Sequence, residues 1–499
     1  MLNQSVLLST ASASIPVPDY DYLIALPELV MLAAICLILV IDLFVPKERK
    51  FFTYFLSQLT LIGLAVYTVL NLAGKATVGF DGSFIRDPMG DVLKIVIYLV
   101  CALVFLYSKD YLKARNLFKG EYFVLGLFGV LGMMILVSAY SFLTLYLGLE
   151  VMSLALYTMV AYNRNSSVAS EAAMKYFVLG AIASGMLLYG ISILYGITGE
   201  IGIQPVGEYI ANKLSAPKEI AANISLVFGL VFLVIGIGFK LGAVPFHMWV
   251  PDVYHGAPTS VTLYLGSVTK LAAFAMIMRI LHDGTGDAGI AWSQILIVLS
   301  ILSLAVGNIV AIAQTNIKRM LAYSTISHMG FLLLGIVAAN ETGYEAAMFY
   351  AVTYAIIAAA AFGLIILLSR AGFEADQIDD FKGLNEKHPW FALMTLIIMF
   401  SLAGVPPTVG FFAKLEVLKA VVSIDLVWLA VVAVVFAIIG AFYYIRIVKV
   451  MYFDKPDNEA SEGLAMGVDM KFALSVNCLL ALGLGLFPDE LMQLVARVL

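Results

Sequence analysis

Apolar residues run along this chain in long blocks, and polar residues gather in short breaks between them. The blocks fall at 22–45, 52–73, 90–108, 122–139, 141–162, 174–197, 222–249, 258–281, 292–313, 320–339, 343–369, 390–422, 425–450 and 470–488. Most are close to the length, about 20 residues, at which a helix crosses roughly 30 Å of hydrocarbon. They predict an all-α polytopic membrane protein of about fourteen spans, joined mostly by short loops.

Two of the blocks are interrupted. The seventh carries Gly238-Phe239-Lys240-Leu241-Gly242-Ala243-Val244-Pro245, and the twelfth carries Gly404-Val405-Pro406-Pro407 ahead of Gly410. Proline removes a backbone donor and clashes with the preceding turn, so these stretches predict broken helices. Irregular backbone at membrane depth persists where protein buries it or where it lines a watery cavity. The bland reading is a packing kink; against it, a lysine lies close to each break. The breaks are five spans apart, so spans 4–8 and 9–13 align as two five-helix units with the fourth helix broken. Five is odd, which inserts the second unit upside down, an architecture found in transporters.

Composition agrees with the blocks. The 499 residues are 62% hydrophobic and 13% charged, with a mean hydropathy of +0.98, against roughly 25% charged in a soluble domain. The formal net charge of −5 says little about partners, because the two sides of the membrane differ. Lys and Arg concentrate in alternate loops: Lys47, Arg49 and Lys50; Lys109, Lys113, Arg115 and Lys119; Arg164; Lys318 and Arg319; Arg370, Lys382 and Lys387; Arg446, Lys449 and Lys455. By the positive-inside rule these loops face the cytoplasm and both termini face outside. Cys36, Cys101 and Cys478 all lie in apolar blocks and read as core thiols. No cluster, haem or zinc spacing is present, and Met1–Pro18 lacks the basic and apolar regions of a cleaved signal.

The residues that carry chemistry are those a bilayer disfavours. Glu150, Lys240, Lys270 and Lys414 each sit inside an apolar block, where a charge costs about 2.5–3.5 kcal/mol on insertion scales. Such residues mark proton or ion pathways. A buried lysine gives up its proton readily unless a carboxylate keeps it charged, and Glu150, two spans before Lys240, is the candidate for that role. Lys270 is the next carrier. His328, among Tyr323, Ser324, Thr325 and Ser327, is placed to bridge toward Lys414, since a neutral imidazole both accepts and donates. The competing readings are a static Glu150–Lys240 ion pair, a structural role for Lys270 or for Lys414 beside Glu416 and Lys419, and a satisfied core histidine at 328. Lys94 and Lys419, near block ends, are expected to reach the interface. His247 and His255 flank Asp252, as a proton uptake point or as loop caps.

These residues resemble a known family. Leu147-Gly148-Leu149-Glu150-Val151-Met152-Ser153-Leu154-Ala155-Leu156-Tyr157, Lys175-Tyr176-Phe177-Val178-Leu179-Gly180-Ala181, the stretch from Gly238 to Pro258, and Asn316-Ile317-Lys318-Arg319-Met320-Leu321-Ala322-Tyr323-Ser324 look like the subunit N family of bacterial NADH–quinone oxidoreductase, respiratory complex I. The likeness extends over nearly the whole chain. The segments around Lys240 and Lys318 are shared with sibling antiporter-like subunits and Mrp antiporters; those around Glu150 and Lys175 are more particular to subunit N. The resemblance implies fourteen helices with two inverted five-helix units, and proton translocation through Glu150, Lys240, Lys270 and Lys414, with His328 as a further link. It implies that NADH, flavin, iron–sulfur clusters and quinone belong to other subunits and that this chain holds no cofactor. Implied partners are the other membrane and peripheral subunits, sibling antiporter-like subunits among them, and the lipid bilayer, without nucleic acid. The lysine at 414 argues against the sibling that has glutamate there. The end of the chain soon after the last span leaves no room for the lateral helix of the distal sibling. The first helices, lost in animal mitochondrial versions, point to a bacterial inner membrane.

The expected divisions are 1–121 (three N-terminal helices), 122–290 (first unit), 291–452 (second, inverted unit) and 453–499 (a loop and the last helix). Two other readings are a sodium/proton antiporter subunit of the Mrp type and a passive assembly scaffold.

Overall fold

The computed structural model describes residues 21–213, 223–455 and 467–499. Within them, thirteen helices are long and apolar enough to cross a membrane, and the broken twelfth block supplies one more, which makes the fourteen that the apolar blocks predict. The first three spans are α1 (Leu26–Phe44), α2 (Phe51–Leu70) and α3 (Pro88–Ala114). The first five-helix unit follows as α4 (Gly120–Val137), α5 (Phe142–Val160), α6 (Ser167–Thr198), a broken span and α10 (Thr259–Gly284). A short surface helix, α7 (Ile203–Lys213), stands before the broken span, which consists of α8 (Ile224–Leu241) and α9 (Trp249–Gly256).

The second unit is α11 (Gly289–Ile312), α12 (Ile317–Val337), α13 (Glu341–Leu368), the broken pair α14 (Pro389–Ala403) and α15 (Val409–Ser423), and α16 (Val427–Phe453). α17 (Val468–Leu486) is the last span, and the amphipathic α18 (Pro488–Val498) follows it. Helix starts carry local signals. Asp87, Ser141, Asn316 and Asn340 each accept a hydrogen bond from a backbone N–H three residues on, relieving donors that the first turn leaves unpaired.

Burial orders the helices. α10, α12 and α13 are almost wholly enclosed, while α1, α2 and α16 keep long apolar faces exposed, as lipid-facing helices do. α4 and α5 meet backbone to backbone. A Cβ on Gly132 would lie 2.3 Å from the Met152 nitrogen, and one on Gly148 2.7 Å from the Leu136 nitrogen. Small residues allow this approach between membrane helices, and it fixes the helix that carries Glu150.

Three features depart from the sequence reading. A two-stranded hairpin, β1 (Thr77–Gly79) and β2 (Phe84–Arg86), fills the loop before α3, turning through Asp81-Gly82. Cys101 and Cys478 are buried, but Cys36 lies on the exposed face of α1 and is not a core thiol. Lys94 does not reach the interface: it is 1% exposed, with its ammonium 2.5 Å from Glu28. Counting residues from the helix end located it near the boundary, but a partner on α1 holds it inside. Lys419 does stay at the surface, paired with Glu416 at 2.7 Å.

Candidate proton-transfer site

Each break exposes the last carbonyls of a half-helix, and each hands them to a lysine. α8 ends at Gly242 in the left-handed conformation, with φ 80°, and the nitrogens of Gly242 and Ala243 both return to the Gly238 carbonyl. α14 ends the same way at Gly404, with φ 84°, and the nitrogens of Gly404 and Val405 return to the Phe400 carbonyl. Glycine takes this conformation without a Cβ penalty and is the usual helix terminator there. A cis X–Pro bond follows each cap, at Val244–Pro245 and at Pro406–Pro407. The broken helices therefore repeat one another in detail.

Side chains take further carbonyls at each break. Phe239 O accepts from the Trp249 indole at 2.9 Å, and Leu241 O accepts from the Lys270 ammonium at 3.0 Å. In the second unit Lys414 Nζ donates to both Leu402 O and Ala403 O, at 3.0 and 2.8 Å. The C-terminal end of a helix carries partial negative charge, so both ammoniums rest where a cation is stabilised. Lys270 is fully buried and also lies over the Trp249 ring at 5.6 Å. Across the first break, Val244 N donates to Ser303 of α11 at 2.9 Å, which ties the two units together.

Lys240 is the last-turn residue of α8 and points to α5. Its ammonium donates to Ser153 Oγ at 2.6 Å and lies 6.0 Å from the Tyr157 ring. Glu150, Ser153 and Tyr157 are spaced three and four residues apart, so α5 presents them on one face. Glu150 Oε1 is buried without a hydrogen-bond partner, and among the described residues no ion pair within 4 Å joins it to Lys240. Ser153, on the same helix face as Glu150, is the group that Lys240 reaches. Lys240 and Lys270 approach the same helix end, since the carbonyl that Lys270 holds belongs to the residue after Lys240.

His328 sits in a network of tyrosines. Its Nδ1 is 2.6 Å from the Tyr350 hydroxyl and its Nε2 3.1 Å from that of Tyr444, which is 2.5 Å from Ser324 Oγ. Tyr354 donates to Thr325 at 2.8 Å, and Asn308 bridges Ser327 and Tyr443. Contact toward Lys414 runs through Phe331, whose ring is 5.2 Å from the ammonium and stacks on Tyr350. Among the described residues no hydrogen bond joins Lys270 to this network. Tyr350, Tyr354, Tyr443 and Tyr444 went unread in the sequence, where tyrosine is mostly packing; their signal is the spacing of polar residues along α12 that they meet.

At the ends of the spans the charges are tied. Asp252, between His247 and His255, pairs with Lys175 at 2.8 Å and Arg319 at 2.9 Å, joining α6, α9 and α12. Lys318 donates to Ala257 O at 2.8 Å. Arg279, near the far end of α10, pairs with Asp87 and Asp283 at 2.8 and 3.0 Å; its block was read only for Lys270.

Residues 139–440 match the family described as NADH:quinone oxidoreductase/Mrp antiporter, TM. A protein of Thioalkalivibrio sulfidiphilus named NADH-quinone oxidoreductase subunit N is 60% identical over 474 residues, covering 95% of this chain and 97% of that one. One of the same name from Thiobacillus denitrificans is 54% identical over 97% of this chain and 99% of its own length. Among solved structures, a chain of respiratory complex I from Thermus thermophilus superposes with a TM-score of 0.80 at 28% identity, over 95% of this chain and all of that one. A chain of the Mrp complex from Dietzia sp. gives 0.80 at 20% identity, over 95% and 97%, and shares the fold. The chain belongs to the NADH:quinone oxidoreductase/Mrp antiporter transmembrane family, and within it to the NADH-quinone oxidoreductase subunit N family.

Proposed function

We propose that this chain is a proton-translocating membrane subunit of NADH–quinone oxidoreductase, carrying protons along Glu150, Lys240, Lys270 and Lys414, with His328 and its tyrosines as a weaker link. It contributes no redox chemistry. NADH oxidation and quinone reduction, with their flavin and iron–sulfur clusters, belong to other subunits, and the sibling antiporter-like subunits and surrounding lipid are its neighbours in a bacterial inner membrane. The observation that carries the reading is that two broken helices each seat a lysine on their freed carbonyls, Lys270 fully buried and Lys414 partly so. Two opposed terms act on each ammonium. Burial disfavours the charge, and the dipole of the half-helix favours it. A group so balanced changes protonation when a neighbouring charge moves, and Glu150 beside Lys240 is such a neighbour.

In this reading the proton on Lys240 leaves when Glu150 no longer supports it, Lys270 accepts one at the same helix end, and Lys414 exchanges with water in the break at Gly404–Gly410, whose prolines free backbone groups that water can satisfy. The division into 1–121, 122–290, 291–452 and 453–499 follows the same reading, with both termini outside. Lys240→Ala in the assembled complex should leave NADH-dependent quinone reduction measurable and sharply reduce proton pumping, and Glu150→Ala should do the same. Full pumping at normal turnover in both variants overturns the relay. The Mrp-type antiporter reading is tested by copurification: recovery of this chain without redox subunits would favour it.

A further inference from the structure

The lysine row leaves unused a second set of buried charges, on the N-terminal helices. Asp91, Lys94 and Tyr98 are spaced three and four residues apart on α3 and so share a face. All three are at most 1% exposed, and Glu28 of α1 reaches Lys94, its Oε1 2.5 Å from Lys94 Nζ. Beside the hairpin, Asp91 Oδ2 accepts from Ala73 N at 2.9 Å and from the partly exposed Arg86 at 3.3 Å. At the inner end the Tyr98 hydroxyl lies beside Thr68 of α2. From Pro88 to Tyr98 the helix rises about 15 Å, roughly half the hydrocarbon thickness.

Hydrogen bonds do not close within this cluster. Lys94 takes Glu28 Oε1, but Glu28 Oε2, Asp91 Oδ1 and the Tyr98 hydroxyl lack a hydrogen-bond partner, three such buried side-chain atoms among the described residues. Buried polar groups are rarely left unpaired, and here they are gathered in one place. Two of the three are carboxylate oxygens, which only accept. Whatever meets them must donate, and a metal cation is disfavoured beside the ammonium of Lys94. Water donates twice and accepts.

We propose that Glu28, Asp91, Lys94 and Tyr98 enclose water that enters from the membrane face carrying the β1–β2 hairpin, and that the Glu28–Lys94 pair holds an exchangeable proton there. The proton moves from Nζ to a Glu28 oxygen, leaving an amine and a carboxylic acid, and returns through the water. The site is separate from the Glu150–Lys414 row and stands whether or not that row conducts.

Silver ion is the probe, applied to native membrane vesicles of each orientation. Thr68→Cys places a thiol at the inner end with little change in size, and the buried Cys478 serves as a dry reference in the same chain. Protection of each thiol from later alkylation is read by mass spectrometry of the denatured protein. The expected result is protection at position 68 at least tenfold faster than at Cys478, from the hairpin face alone. Glu28→Gln should then slow it several-fold, because the attracting carboxylate is gone, and Lys94→Met should speed it. Protection no faster than at Cys478, or equal from both faces, overturns the water path. Rates unmoved by Glu28→Gln and Lys94→Met would make the pair a static clamp.

Discussion

At the residue scale, the three lysines proposed as proton carriers are held in different ways. Lys270 and Lys414 donate to backbone carbonyls, while Lys240 donates to a side chain, Ser153. Ser153→Ala should therefore lower pumping without abolishing it, whereas Lys240→Arg should pump poorly, because arginine does not release its proton. Pumping by the serine variant equal to wild type would remove Ser153 from the path. Breaking the Glu28–Lys94 pair is a matter of stability. Lys94→Met alone should cost about 3–5 kcal/mol by leaving a buried carboxylate unpaired, and the double variant Glu28→Gln/Lys94→Met should recover much of it, as thermal unfolding of the solubilised protein would report. The positions of the lysines are legible in the sequence because a charge in an apolar block stands out. Their partners are not, since a carbonyl freed by a helix break has no residue signature, and Lys94 was misread because its partner lies 66 positions earlier in the chain.

At the element scale, the breaks depend on their glycine caps. A Cβ on Gly242 would come 2.6 Å from Val250 Cγ2, and one on Gly404 2.9 Å from Lys414 Cδ. Left-handed backbone costs a residue with a Cβ about 1–2 kcal/mol, so Gly242→Ala and Gly404→Ala should each lower stability by about that much. Gly404→Ala should also push Lys414 off its carbonyls, and pumping should fall further than in Gly242→Ala at matched assembly. Equal pumping in the two would mean that the Lys414 seat is not needed. Proline and glycine made both breaks readable in advance. The β1–β2 hairpin and α7 were not, because they lie in loops whose apolar content is too low for a span and whose turn residues, such as Asp81-Gly82, are common in any loop.

At the scale of the whole molecule, one carboxylate ties helices together at the end of α3. Glu374 accepts from Tyr111 at 2.9 Å and Arg115 at 2.5 Å, and also from Thr259 at the start of α10. Burial works against its charge, yet Lys318 and Arg115, with the hydrogen bonds of Thr259 and Tyr111, hold its carboxyl below the usual range. A depressed carboxyl contributes stability that is complete above its ordinary pKa, about 4.3, and is lost as pH falls through the lower folded value. Glu374→Gln should lower stability at pH 7 by about 1–3 kcal/mol and flatten its fall in acid. An unchanged acid profile would show that the cluster does not hold the helices.

Glu374 also bears on which way the molecule lies in the membrane. Arg115, Lys318 and Arg319 stand at this end of the bundle, with Lys113 half exposed beside them. The opposite end carries Glu208, Asp283 and Glu341 around one cleft. On the proposed topology the Lys and Arg bias puts the Glu374 end in the cytoplasm, and an odd number of helices per unit would then point the two breaks toward opposite faces. Ser215, in the loop 199–221 of the far side, lies outside the described residues, and Gln204 on α7 of that loop is the marker. In intact cells a membrane-impermeant thiol reagent should label Gln204→Cys and leave Lys113→Cys untouched until the membrane is opened. The reverse pattern would turn the molecule over, and with it the direction in which Lys240 and Lys414 meet water.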